Sequence, residues 1–211
     1  MTVEKRIGVQ RAARYFVAGD LEGTPEEVWF VLHGYGQLAA EFLEQFAHLH
    51  RPGRRFVAPE GLSRFYRAGT RGEVGASWMT RLGREDEIAD YVAYLDQVHA
   101  EVLGSEDPSG VRVVVLGFSQ GSATALRWAA LGRARFERVI SWAGDVPPDL
   151  DLGRLFGKRL TLVAGTRDGA LDAGRLERES ARLDAAGVAH ELLRFEGGHR
   201  LDRETLARLA G

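Results

Sequence analysis

The sequence predicts an α/β protein, a three-layer sandwich around a central, mostly parallel sheet, with an antiparallel hairpin at its N-terminal edge. Three observations carry this. Strand-like and helix-like stretches alternate along the chain. Most strand candidates are near-continuous apolar runs, the pattern of strands covered on both faces. Polar, glycine-rich segments follow the strand candidates, where open sheets of this kind bind ligands.

The strand candidates in order are residues 28–32 (VWFVL), 55–58, 111–116, 139–142, 160–164 and 191–195. Helical stretches separate them at 39–48, 85–103, 122–131, 173–186 and 203–209. The longest shows Ile88, Tyr91, Val92, Leu95, Val98 and Val102 at helical spacing. Upstream, residues 7–10 and 13–18 are read as the edge hairpin. The stretch 104–110, GSEDPSG, fits a loop between a helix and a strand. No repeat or shift in composition divides the 211 residues, a length that suits one domain, 1–211, with a substantial core.

Composition excludes several chemistries. The chain has no cysteine, so disulfides, thiolate-bound zinc and a cysteine nucleophile are ruled out. A formal net charge of −2 gives no global attraction to nucleic acid or to an anionic membrane. The first twenty residues carry charges throughout and lack the apolar core of a signal peptide, and no run approaches the ~18 apolar residues of a membrane span. The expectation is a cytoplasmic protein without stable membrane insertion.

Within residues 111–130, VRVVVLGFSQGSATALRWAA, an apolar strand ends in Gly117-Phe118-Ser119-Gln120-Gly121 and a small-residue helix follows. Gly-x-Ser-x-Gly alone is a weak pattern, since any tight strand-to-helix turn favours glycine and serine. Its position gives it weight. A nucleophile elbow needs a buried strand before the serine, a helix after it, and glycines where side chains would collide with strand and helix. The turn also sets Ser119 at a helix N-terminus, where developing negative charge is favoured.

A serine hydroxyl needs a general base, and the base needs an orienting group. In this architecture they follow the nucleophile as acid and then histidine, each after a later strand. Asp168 follows the strand RLTLVAG, and His199 follows ELLRFEGG. His33 precedes the nucleophile, His48 and His50 lie on or just after an early helix, His99 lies in the long helix, and His190 begins a strand. Asp145 also follows a strand and competes with Asp168, while Asp172 reads as the cap of the helix near Ala173. For the oxyanion that develops on acyl transfer, the backbone N–H of Gln120 is one donor and that of Tyr35, in His33-Gly34-Tyr35-Gly36, is the other. Residues 60–80 read as a long loop. Its Phe65, Tyr66 and Trp78 are candidates to wall an acyl pocket or to pack beneath the loop. A short chain leaves little room for a lid, so the site should be shallow.

The segments HGYGQ, GFSQG, the Asp of GTRDGAL and the His of EGGHRLD together resemble the phospholipase/carboxylesterase group of α/β-hydrolases, which includes acyl-protein thioesterases. The resemblance spans roughly residues 27–205. It implies hydrolysis of carboxylic esters or thioesters without a cofactor. No metal is expected either, since His199 has no partner at ligand spacing and no H-E-x-x-H occurs. The resemblance matches Ser119, Asp168 and His199 to the triad, and Tyr35 and Gln120 to the oxyanion hole. Gln37 stands where the group often has Asp, and ASWMT, carrying Trp78, stands where it often has PSWFD. The leading expectation is a serine esterase for small to medium acyl chains, acting on small-molecule substrates as a monomer or homodimer. The alternatives are a thioesterase or lysophospholipase for longer chains, and a non-catalytic binder of small ligands on the same fold.

Overall fold

The computed structural model describes residues 1–104, 110–169 and 174–211. Seven strands form the central sheet. In chain order they are β1 (Tyr15–Gly19), β2 (Glu27–Leu32) and β3 (Arg54–Pro59), then, after a separate pair β4 (Ser63–Ala68) and β5 (Arg71–Ser77), β6 (Arg112–Phe118), β7 (Arg138–Trp142), β8 (Arg159–Gly165) and β9 (His190–Phe195). The order across the sheet is β1-β3-β2-β6-β7-β8-β9. All neighbours run parallel except β1, which lies antiparallel to β3 with Tyr15 opposite Pro59.

The apolar runs are explained by helices on both faces. Along β2, Val28, Phe30 and Leu32 pack into one core with Tyr91, Leu95, Leu126 and Leu183. Trp29 and Val31 point the other way and pack with Phe42, Phe46 and Leu206. The first face is covered by α2 (Arg84–Leu103), α3 (Gln120–Leu131) and α4 (Arg175–Ala185); the second is covered by α1 (Ala39–Glu44) and α5 (Arg203–Ala210). The fold is that of an α/β-hydrolase. Predicted and observed elements agree to within a few residues, except that the helix expected over 39–48 stops at Glu44 and resumes as a 3-10 turn, Ala47–Leu49.

Two expectations are corrected. The N-terminal hairpin does not form: residues 7–10 have no strand structure and are exposed, and the antiparallel edge is built by β1 alone. Residues 60–80 are not a structureless loop. They hold the two-stranded antiparallel β4–β5 sheet, in which Ala68 pairs with Arg71 across Gly69-Thr70. Gly69 has φ +61°, the sign that a two-residue hairpin turn needs at its first central position. The loop 104–110 and the proposed cap Asp172 fall, for residues 105–109 and for Asp172 itself, outside the described residues.

Candidate active site

Ser119 sits between β6 and α3 at φ 53° and ψ −117°. The flanking glycines are required by space. A Cβ on Gly117 would overlap the carbonyl of Gly121, and one on Gly121 would overlap the carbonyl of Leu32. Two bonds tie the turn to β7 and one to β6: Ser119 N–H donates to the Trp142 carbonyl at 2.8 Å, and the buried Ser122 hydroxyl lies 2.9 Å from that carbonyl and 2.7 Å from the Gly117 carbonyl of β6.

The loops after β8 and β9 bring Asp168 and His199 to this point. Thr166 N–H donates to the Phe195 carbonyl at 2.9 Å and Arg167 N–H to that of Gly197 at 2.8 Å, so the two loops are clasped. Trp142 Nε1–H donates to the Arg200 carbonyl at 2.9 Å, which fixes the chain beside His199 against β7. Asp202 then caps α5 by accepting from Thr205 N–H at 3.1 Å.

His199 Nδ1 lies 2.8 Å from Asp168 Oδ2, and its Nε2 lies 3.0 Å from Ser119 Oγ. The carboxylate of Asp168 is 1% exposed and the His199 side chain 33%, so the carboxylate is sealed in while the imidazole opens to solvent. A carboxylate can only accept, which places the imidazole proton on Nδ1 and leaves the Nε2 lone pair facing the serine hydroxyl. The Phe118 ring supports the imidazole at a centroid distance of 5.0 Å. Asp145, the rival acid, pairs instead with Arg175.

The His33–Gln37 loop lies on the other side of Ser119. A Cβ on Gly34 would stand 3.2 Å from the Ser119 Cβ. Gln37 Oε1 accepts from Gly34 N–H at 2.7 Å and holds the loop in its turn. Beneath it, His33 is fully buried; its Nδ1–H donates to the Gly34 carbonyl at 2.8 Å and its Nε2 accepts from Gly61 N–H at 3.0 Å. Burial pushes this imidazole below its usual range, outweighing the Gly34 bond and the Glu60 charge, so it stays neutral. Gln120 opens α3, so its backbone N–H has no partner within the helix.

The three aromatic candidates separate. Phe65 stacks on the exposed Tyr35 ring at 5.1 Å, beside the site. Its neighbour Tyr66 points to the opposite face of the hairpin and is half exposed. Trp78 is 1% exposed and belongs to the core, with its Nε1–H donating to the His33 carbonyl at 2.8 Å, so it supports the loop from below instead of forming an open wall. A cavity of about 980 Å³ lies elsewhere, between residues 9–13 and α2; Ser119, Asp168 and His199 do not line it. Among the described residues no group of three or more His, Cys, Asp or Glu side chains could hold a metal ion, and no helix is long and apolar enough to cross a membrane.

Sequence reasoning missed the structural bonds made by side chains near the site. The Gln120 amide accepts from Trp78 N–H at 3.1 Å and donates to the Met79 carbonyl at 2.8 Å. Ser122 also reaches a distant backbone group, the Trp142 carbonyl, whereas Gln37 bonds the Gly34 N–H within its own loop. The signal available was a polar residue beside each glycine turn, which marks a turn without naming its partner.

A mostly parallel sheet with a serine on a positive-φ turn between strand and helix, faced by a histidine and a buried acid from later strands, defines an α/β-hydrolase. Residues 28–201 match the Dienelactone hydrolase family, and the chain belongs to that family. It is accordingly a carboxylic ester hydrolase, for which small-molecule substrates are the rule. Solved structures share the fold at low identity. Acyl-protein thioesterase 2 of Zea mays is 19% identical, with 94% of this chain and 96% of that one covered and a TM-score of 0.73. Esterase PE8 is 19% identical over 94% and 96%, with a TM-score of 0.72. A phospholipase/carboxylesterase from Dyadobacter fermentans is 16% identical over 94% and 96%, with a TM-score of 0.67.

Proposed function

We propose that this chain is a serine esterase for small to medium acyl chains, with Ser119, His199 and Asp168 as its catalytic triad and an acyl-enzyme as its intermediate. The observation that carries the reading is the pair of contacts at His199, 3.0 Å to Ser119 Oγ and 2.8 Å to Asp168 Oδ2, on a serine at φ 53°. Ser119 Oγ attacks the acyl carbon while its proton passes to His199 Nε2. The carbonyl π electrons move to oxygen, which the backbone N–H groups of Tyr35 and Gln120 receive. Collapse of this tetrahedral species breaks the bond to the alcohol oxygen, which leaves with the proton from His199. Water then attacks the acyl-enzyme, giving its proton to His199, and the acid departs as that proton returns to Ser119 Oγ. Asp168 orients the imidazole and stabilises its cationic form.

The preference for shorter chains rests on openness. The imidazole is a third exposed and Tyr35 is 61% exposed, with the Tyr35–Phe65 stack as an apolar wall and the large cavity set apart from the serine. The test is a series of p-nitrophenyl esters from acetate to laurate, assayed on purified protein with Ser119→Ala beside it. Activity that peaks at short to medium chains and disappears in the variant is the expected result. A peak at laurate would move the reading to a thioesterase or lysophospholipase for longer chains. Full activity in Ser119→Ala would overturn the mechanism, and no hydrolysis of any ester would leave a ligand-binding role on the same fold.

A further inference from the structure

The two proposed oxyanion donors belong to segments far apart in sequence, and one strand touches both. On one side, Gly36 N–H donates to the Ala76 carbonyl at 2.8 Å and Ala76 N–H donates to the Gln37 carbonyl at 3.2 Å, so β5 pairs with the loop that presents Tyr35. On the other side, the strand runs on into Trp78 and Met79. There the Gln120 side chain accepts from Trp78 N–H at 3.1 Å, donates to the Met79 carbonyl at 2.8 Å, and lies within hydrogen-bond distance of Ser77 Oγ. Gln37 completes the loop by accepting from Gly34 N–H at 2.7 Å.

We propose that the side chains of Gln37 and Gln120 are positioning residues that, with the end of β5 as a shared splint, set the spacing between the Tyr35 and Gln120 N–H donors. The inference rests on the serine-esterase reading above. It gives Gln120 a second task, carried by its side chain, beside the one assigned to its backbone. Neither amide touches substrate. Each adds a side-chain bond to backbone groups beside the donor it positions, on top of the backbone bonds that already hold the loop and the elbow, and transition-state donors lose most of their effect when they are displaced. A glutamine at 120 is suited to this because the strand end offers a donor and an acceptor side by side, and a primary amide presents the complement of both.

The test uses Gln37→Met and Gln120→Met in the purified full chain. These keep the side-chain length and both backbone N–H groups while removing the amide. Three quantities are read on the wild type's fastest ester: kcat, KM, and the inhibition constant of a trifluoromethyl ketone, which binds a reactive serine as a tetrahedral oxyanion. The expected result for each variant is a fall in kcat of about 30-fold with KM nearly unchanged, and a parallel weakening of the ketone. A purely structural role would lower the amount of folded protein without moving kcat per active site or the ketone. The proposal is overturned if kcat stays within about threefold of wild type in both variants, or if kcat falls while ketone affinity holds. If Gln120→Met does not fold, Gln37→Met, in a partly exposed loop, decides the matter by the same readings. Loss of the underlying mechanism would show differently, as hydrolysis persisting in Ser119→Ala.

Discussion

Ser119 and Ala143 stand side by side just past the paired strand ends Phe118 and Trp142, and both hold positive φ, 53° and 51°. Among the described residues they are the only non-glycine positions that do so. Each leans on the next strand: Ser119 N–H donates to the Trp142 carbonyl and Ala143 N–H to that of Val163, both at 2.8 Å. The turn at Ala143 carries Gly144 against the Ser119 carbonyl, so closely that a Cβ there would overlap it. The elbow is thus braced by a second strained turn. Ala143→Val should destabilise the fold by about 2 kcal/mol or more, because a β-branched residue tolerates this backbone poorly. Ala143→Gly should be near neutral, since relief of strain offsets the lost methyl group and the added chain entropy, each worth about 1 kcal/mol. Urea unfolding of the two variants checks this; equal losses would mean that burial of the side chain, and not φ, governs the position.

Asp168 is nearly sealed from solvent, and its Oδ2 faces the His199 Nδ1. Asp168→Asn keeps the shape but can present an N–H to that nitrogen, which favours the wrong tautomer. The expected fall in kcat is about 10⁴-fold with the fold retained. Asp145→Asn breaks only the partly exposed pair with Arg175, so kcat should stay within about threefold. Steady-state ester hydrolysis by both variants tests the choice, and the reverse pattern would make Asp145 the acid.

Much of this arrangement is legible in the sequence because buried parallel strands announce themselves. VWFVL and the VVVL that follows Arg112 are apolar throughout since alternate residues enter two different cores. Once the strands are placed, the order Ser119, Asp168, His199 follows from which loops end at the same sheet edge. The edge hairpin failed for a physical reason: Ile7 and Val9 are 89% and 81% exposed, so their apolar character is not spent on pairing. The stretch RFYRAGTRGEVG reads as loop because arginines and glycines dilute its alternation, and its strands pair with each other and not with the main sheet. Trp78 and Tyr66 could not be sorted without knowing that hairpin. The Gln120 side chain bonds backbone groups of Trp78 and Met79 on a different segment, and nothing local in sequence encodes such partners.

His33 supplies a pH dependence of stability. Its folded-state pKa is depressed below the ordinary 6.5 by burial, so in acid the unfolded chain binds a proton that the folded chain refuses. The stabilisation is complete above about pH 6.5 and is lost progressively as pH falls from there toward the depressed folded value. His33→Gln should be less stable at neutral pH, because the fit between Gly34 and Gly61 is lost, yet its stability should change less between pH 7 and pH 5. Denaturation midpoints across that range decide it. Parallel curves for wild type and variant would show that other groups produce the acid sensitivity.

Gly75 is where the hairpin meets the loop of Tyr35. A Cβ at this position would lie 2.5 Å from the Gly36 carbonyl oxygen and 2.8 Å from its Cα, and both are backbone atoms that cannot swing aside. Gly75→Ala must therefore push β5 and the loop apart. The β4–β5 sheet shares no strand pairing with the central sheet, so the shift falls on this contact before it reaches the core. The bonds at risk are those between Ala76 and the backbone of Gly36 and Gln37, which fix the loop carrying Tyr35. A loss of kcat of at least about tenfold, with only a small drop in the urea midpoint, is the expected outcome. If stability collapsed while kcat per folded molecule stayed at the wild-type value, Gly75 would be a packing requirement alone. The hairpin would then have no part in setting the geometry around Ser119.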